Sequence, residues 1–221
     1  MPAHSQINKH NCSFGIALGT STPLGEFEDE EAQTNFQNTA LTGFHFSANF
    51  SFKPWRHFGA TSLFTINNHR IDANIDEIIT LVQWFYPGYS IKIDAGSWLS
   101  ANLMAGGIFS LPYKKFEFNL KALAGISYTK IPEVNFNATD SLTSLHMTSN
   151  DASAWAIALN AGIEIQYNIL QKLALSLSID DFFTRPEFEV ATTSDLFEPV
   201  TEDVKPALNM LNVSFGIKYR I

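Results

Sequence analysis

The chain has 221 residues, 45% of them hydrophobic and only 16% charged, with a formal net charge of −8 and a single cysteine. The acidic balance argues against a nucleic-acid-binding face, which would be basic, and the lone Cys12 excludes an internal disulfide and a cysteine-based zinc site. No apolar run approaches the roughly 18 residues of a membrane-spanning helix, so only strands can carry this chain across a bilayer.

Met1 to Asn11 is polar and lacks the apolar core of a secretory signal. Residues 1–11 are therefore set apart from a domain spanning 12–221, and a signal is expected to have been removed. From Ser13 onward, apolar and polar residues alternate with the period of two that places strand side chains on opposite faces. Strand one, Ser13 to Thr20, sets Phe14, Ile16 and Leu18 against small residues. Pro23, Gly25 and an acidic cluster then open a long loop to about Thr39. Strand two, Leu41 to Phe52, carries four Phe on one face opposite His45, Ser47, Asn49 and Ser51. A tight connection, Lys53 to His57, leads into strand three, Phe58 to Asn68, where Leu63 is an apolar exception on the polar face.

After a long segment, His69 to Ala95, strand four runs from Ser97 to Leu111 and turns at Pro112-Tyr113-Lys114 into strand five, Phe116 to Tyr128. A polar loop from about Lys130 to Ala152 precedes strand six, Trp155 to Tyr167. A short turn, Leu170 to Lys172, leads to strand seven, Leu173 to Asp180, whose pattern loosens at Asp181-Phe182 as at a bulge or a membrane edge. An acidic loop, Pro186 to Pro206, comes before strand eight, Leu211 to Ile221.

Eight strands joined alternately by long and short connections predict an all-β fold: an eight-stranded antiparallel transmembrane β-barrel in an up-and-down meander. The short turns and both termini are expected on the periplasmic side and four long loops outside, in a bacterial outer membrane. A soluble barrel of eight strands would point its apolar face inward and cover its polar face with Lys and Glu. Here the polar face is mostly Ser, Asn, Thr and Gly, and the apolar face holds more Phe, Leu and Ile than so narrow an interior packs. Aromatic residues gather at strand ends: Trp55, Tyr113, Tyr167 and Tyr219 near the short turns, Trp98, Tyr128 and Trp155 near the long loops. Two interfacial belts are expected from them.

The opening Phe14-Gly15-Ile16-Ala17-Leu18-Gly19, the following Pro23-x-Gly25-x-Phe27, the segment Met104-Ala105-Gly106-Gly107, the turn at Pro112 and the aromatic last strand carry a resemblance. The chain resembles the small outer-membrane β-barrel proteins of Bacteroidetes-type bacteria, built on the plan of the OmpA and OmpX barrels. The resemblance covers nearly the whole chain and implies contact with outer-membrane lipids, lipopolysaccharide included. The last strand is also similar to the signal read by the barrel-assembly machinery, although Ile221 stands where a terminal aromatic is favoured.

Three groups of residues invite a functional reading. His45-Phe46-Ser47 loosely resembles a segment of outer-membrane lipid A deacylases, but alternation puts His45 and Ser47 in the lumen, away from the acyl chains such a nucleophile and base would need. His45, Glu117, Lys121, Glu164, Asp180, Lys218 and Arg220 all face inward. Removed from water, they are expected to pair into a network that plugs the barrel. Trp84, Phe85 and Tyr86 form an apolar cluster in a loop, either packed over the barrel mouth or exposed to a partner. His4, His10, His57, His69 and His146 show no metal-ligand spacing and no phosphate-binding loop appears, so no cofactor is expected.

The leading expectation is a non-enzymatic barrel with a plugged polar lumen, a structural or accessory subunit of a larger outer-membrane complex that binds through its loops or its lipid-facing wall. A narrow pore for small solutes or ions is the alternative, and a lipid-modifying enzyme comes third.

Overall fold

Polar and small side chains line the inside of this protein and apolar ones its outside, the reverse of a water-soluble fold. In the first strand Phe14, Ile16 and Leu18 are 47%, 50% and 56% exposed, while Ser13, Ala17 and Ser21, on the opposite parity, are buried. The computed structural model describes residues 11–24, 40–71, 84, 90–139, 144–194 and 198–221. Among these, thirteen strands are present: β1 (Cys12–Leu24), β2 (Gly43–Phe52), β3 (Phe58–Arg70), β4 (Ser90–Ala95), β5 (Ser97–Tyr113), β6 (Phe116–Ile131), β7 (Val134–Thr139), β8 (Ser144–Ser149), β9 (Ala152–Asn168), β10 (Leu173–Thr184), β11 (Phe188–Ser194), β12 (Val200–Val204) and β13 (Leu208–Arg220).

Eight of them close an antiparallel barrel in the order β1-β13-β10-β9-β6-β5-β3-β2. The first and last barrel strands seal it, with Ile16 opposite Ile217 and Leu18 opposite Phe215. Closure leaves no edge strand, and so no unpaired backbone polar group for lipid to face. The pairing is staggered. A row of partners from Thr22 through Leu211, Asp181, Ala161, Ala122, Gly107, Ala60 and Phe52 returns to β1 ten residues away, at Cys12. Such a stagger tilts the strands by roughly 35–45° to the barrel axis.

The start of β1, the end of β13 and the short turns lie at one end of the barrel, here the turn end. Ile221 N donates to Cys12 O at 2.9 Å there. The β5–β6 hairpin turns on Lys114-Lys115, with Pro112 and Tyr113 still in the strand. Lys114 sits at φ 54°, the positive φ that two-residue hairpin turns require of their first central residue.

The opposite, loop end differs from a set of irregular loops. Strands β4, β7, β8, β11 and β12 form a second sheet, ordered β12-β11-β8-β7-β4. Segments expected as loops at about 130–152 and 186–206 therefore hold strand pairs. In the β7–β8 pair, polar partners, Asn135 opposite Thr148 and Asn137 opposite His146, alternate with apolar ones, Phe136 opposite Met147 and Ala138 opposite Leu145, so each strand carries an apolar stripe of only two or three residues. Lys205 Nζ lies 2.7 Å from Glu187 Oε1 and ties together the two linkers through which β10 and β13 pass into this sheet. The looser pattern at Asp181-Phe182 is not a bulge: β10 pairs without interruption to Thr184, with Phe182 turned inward.

Candidate functional site

The lumen divides into two halves. Toward the turn end it is ionic. Glu164 on β9 is 1% exposed and is the hub: it accepts from Lys218 Nζ at 2.7 Å, Gln166 Nε2 at 2.6 Å and Asn119 Nδ2 at 3.0 Å. Asn119 in turn accepts from Ser110 Oγ at 2.5 Å. At the mouth, Glu117 binds Arg220 Nη2 at 2.9 Å and also Lys53 Nζ. Nearer the middle, Lys121 Nζ stands 2.8 Å from Asp180 Oδ1, an ion pair that lacks hydrogen-bond geometry. Each of the three acids therefore has a cation beside it, as desolvated charges require.

Glycines on the inner face make room for these side chains. A Cβ on Gly162 would collide with Asp180 Oδ1, and one on Gly15 would stand 2.7 Å from Lys218 Cγ. Above the ion pairs His45 takes no part in them: its Nδ1 donates to Asn67 Oδ1 at 2.6 Å, and Asn67 Nδ2 donates to Ser100 Oγ at 3.2 Å.

Toward the loop end an apolar cluster shares the lumen with buried polar side chains such as Asn67, His69, Ser100 and Thr129. Leu63, Trp98, Met104, Leu123, Phe182 and Met210 pack with Ile131, Leu208 and, from the base of β11, Phe188. Trp98 is the correction to the expected aromatic belts. It is 2% exposed, points inward and meets Phe188 edge-on, with ring centroids 6.1 Å apart. On β5 the even-numbered residues Ser100, Asn102 and Met104 are buried, and residue 98 shares their parity.

The remaining belt residues face outward. Trp55, Tyr113, Tyr167 and Tyr219 are exposed at the turn end, and Tyr128 meets exposed Trp155 at the loop end, the rings tilted by 52° with centroids 5.1 Å apart. Of the loop cluster, Trp84 is 78% exposed, whereas Phe85 and Tyr86 lie outside the described residues.

Lys53, Asn119 and Gln166 belong to the ionic cluster but were absent from the residues singled out in the sequence. Parity could have found Lys53, since it continues the inward series Ser47, Asn49, Ser51 of β2. Among the described residues, no three His, Cys, Asp or Glu side chains converge on a metal-binding position.

A closed eight-stranded barrel with an apolar wall, two aromatic belts and a filled polar lumen is the architecture of a small outer-membrane β-barrel. Solved structures of that class superpose over almost the whole chain. A major outer membrane protein from Thermus thermophilus is 12% identical with a TM-score of 0.54, covering 96% of this chain and 100% of its own. Neisserial surface protein A, NspA, is 8% identical with a TM-score of 0.51, covering 96% and 97%. OprG from Pseudomonas aeruginosa is 13% identical with a TM-score of 0.51, again covering 96% and 97%. No protein-family model and no curated protein matches the sequence. The likeness is one of fold: the chain is an eight-stranded barrel of the outer-membrane type.

Proposed function

We propose that this protein is a closed, non-enzymatic barrel that acts as an accessory subunit of a larger outer-membrane assembly and works through its outer surfaces. The carrying observation is the filling of the lumen. Ion pairs around Glu164 occupy one half and a cluster around Trp98 and Phe182 the other, all of them buried. A barrel of eight strands is just wide enough to be filled in this way, which leaves the lipid-facing wall and the loop-end sheet as the surfaces open to a partner. His45 and Ser47 are 1% and 5% exposed inside the lumen, where an acyl chain in the wall cannot reach them, and this supports the non-enzymatic reading.

In this reading the turn end, with both termini, faces the periplasm, the loop-end sheet faces outward among lipopolysaccharide, and the last strand engages the barrel-assembly machinery during insertion. The test is electrical and biochemical together. Purified barrel in a planar bilayer is expected to give no reproducible single-channel steps, and mild-detergent extraction of the native membrane is expected to retain the chain in a larger complex. Reproducible conductance steps would replace this reading with that of a narrow pore.

A further inference from the structure

One lipid-facing position interrupts the apolar wall. On β10 the outward side chains run Leu173, Leu175, Leu177, Ile179, Asp181, Phe183. Asp181 is exposed, and it is the only charged side chain among the described outward positions between the two aromatic belts. Among the described residues it forms no ion pair or hydrogen bond.

Register gives its depth. Asp181 pairs with Ala161, which stands midway on β9 between Tyr167 and Trp155 of the two belts. At about 3.3 Å per residue along a tilted strand, Ala161 falls near the middle of an apolar band about 25 Å tall, and Asp181 lies about 5 Å away on the next strand. A carboxylate at that depth has no water to hydrate it and is costly unless a cation or hydrogen-bond donor meets it.

The wall beside it is recessed. Ala60, Gly107, Ala122 and Ala161 follow one another across β3, β5, β6 and β9 in the row that ends on Asp181. The neighbouring row toward the loop end adds Ala105 and Ala124. Phe109 and Leu120 border this trough on one side, Leu103 and Ile126 on the other. From Ala105 on β5 to Asp181 and Phe183 on β10 the depression holds about 500 Å³. Within lipid, where apolar burial gives no net drive, small residues favour association because they let another backbone approach closely.

We propose that this trough seats a second, different integral membrane protein, which lays large apolar side chains on Ala122, Ala124 and Ala161 and brings a Lys or Arg side chain to Asp181. The charge selects the occupant. This chain has no outward Lys or Arg between its own belts among the described residues, so a second copy would leave the carboxylate unmatched. Acyl chains carry no cation either. The proposal rests on the accessory-subunit reading and narrows it to one face of the wall.

Photo-cross-linking in the native outer membrane tests it, with a photoreactive phenylalanine analogue replacing Leu159 on the trough rim of the full chain. The expected product is a covalent adduct to one integral membrane protein through a segment containing Lys or Arg. Its yield is expected to fall at least about tenfold with Asp181→Lys, because like charges in a desolvated contact repel strongly. Ala161→Trp, which fills the trough, should act in the same direction, and Lys115→Gln in the β5–β6 turn should leave the yield unchanged. Heat-modifiable migration on gels checks that each variant is a folded barrel. Adducts to a second copy, to lipid alone, or to a protein whose yield ignores both Asp181→Lys and Ala161→Trp overturn the proposal. A complex that co-purifies intact with Asp181→Lys also removes the wall site while leaving the accessory reading in place, whereas a wild-type chain that co-purifies with no protein removes both.

Discussion

The two halves of the lumen are lined by the same eight strands and obey the same inward parity, yet they are held by different physics. In the turn half, Lys218 and Glu164 are 2% and 1% exposed and bonded at 2.7 Å. Neither charge is tolerable without the other, since removing one partner strands the other in a dry site. In the loop half, Phe182 and Trp98 are as deeply buried, but what they supply is volume and apolar area. An inward position is thus filled either by charge pairing or by good packing. The first fails when a partner is lost and the second when volume is lost.

The largest effects are expected from losing a charge partner in one half or volume in the other. Lys218→Met should destabilise the barrel by about 3–5 kcal/mol, because it leaves Glu164 buried and unpaired. The double variant Lys218→Met/Glu164→Gln should recover most of that loss, since exchanging a buried pair for neutral groups of similar size is often nearly neutral. Urea unfolding in lipid vesicles measures both, and a double variant as unstable as the single one would contradict the pairing account. In the apolar half Phe182→Ala should cost about 3–5 kcal/mol by creating a cavity. Phe182→Leu should lose far less, whereas a neutral residue at position 218 loses the pair whatever its volume. The smallest effect tests the space between the halves. Gly162→Ala forces Asp180 aside and loosens its pair with Lys121, an overpacking change expected to cost about 1–3 kcal/mol. Asp180→Ala in the same background should not add its full separate cost, because the two residues compete for one volume.

Much of the fold is legible in the residues one at a time. Alternation assigns Phe14, Ile16 and Leu18 outward and Glu117, Lys121 and Glu164 inward, and the short and long connections give the up-and-down order; all of these are local properties of one strand or one turn. The places where the sequence misleads are those where residue type outweighs parity. Trp98 resembles a belt residue by type yet shares the inward parity of Ser100 and Asn102. Asp181-Phe182 resembles a break yet keeps the alternation, with the unusual consequence of a carboxylate outside and a phenyl ring inside. The strands of the loop-end sheet escape because they are five to seven residues long and their apolar stripe, Phe136 opposite Met147 and Ala138 opposite Leu145 in the β7–β8 pair, is too short to stand out from the polar residues around it.

By itself, then, the sequence determined that eight amphipathic strands cross the membrane, and which face of each meets lipid. Only the tertiary structure decided who meets whom. Glu117 and Arg220 are 103 residues apart, and Glu164 and Lys218 are 54 apart. What brings them together is barrel closure with a stagger of ten residues, which no single strand encodes. The same stagger lines up Ala60, Gly107, Ala122 and Ala161 into a trough that ends at Asp181. Side-chain direction depends on position along one strand, whereas neighbours depend on register between strands, and register is fixed only when the sheet closes on itself.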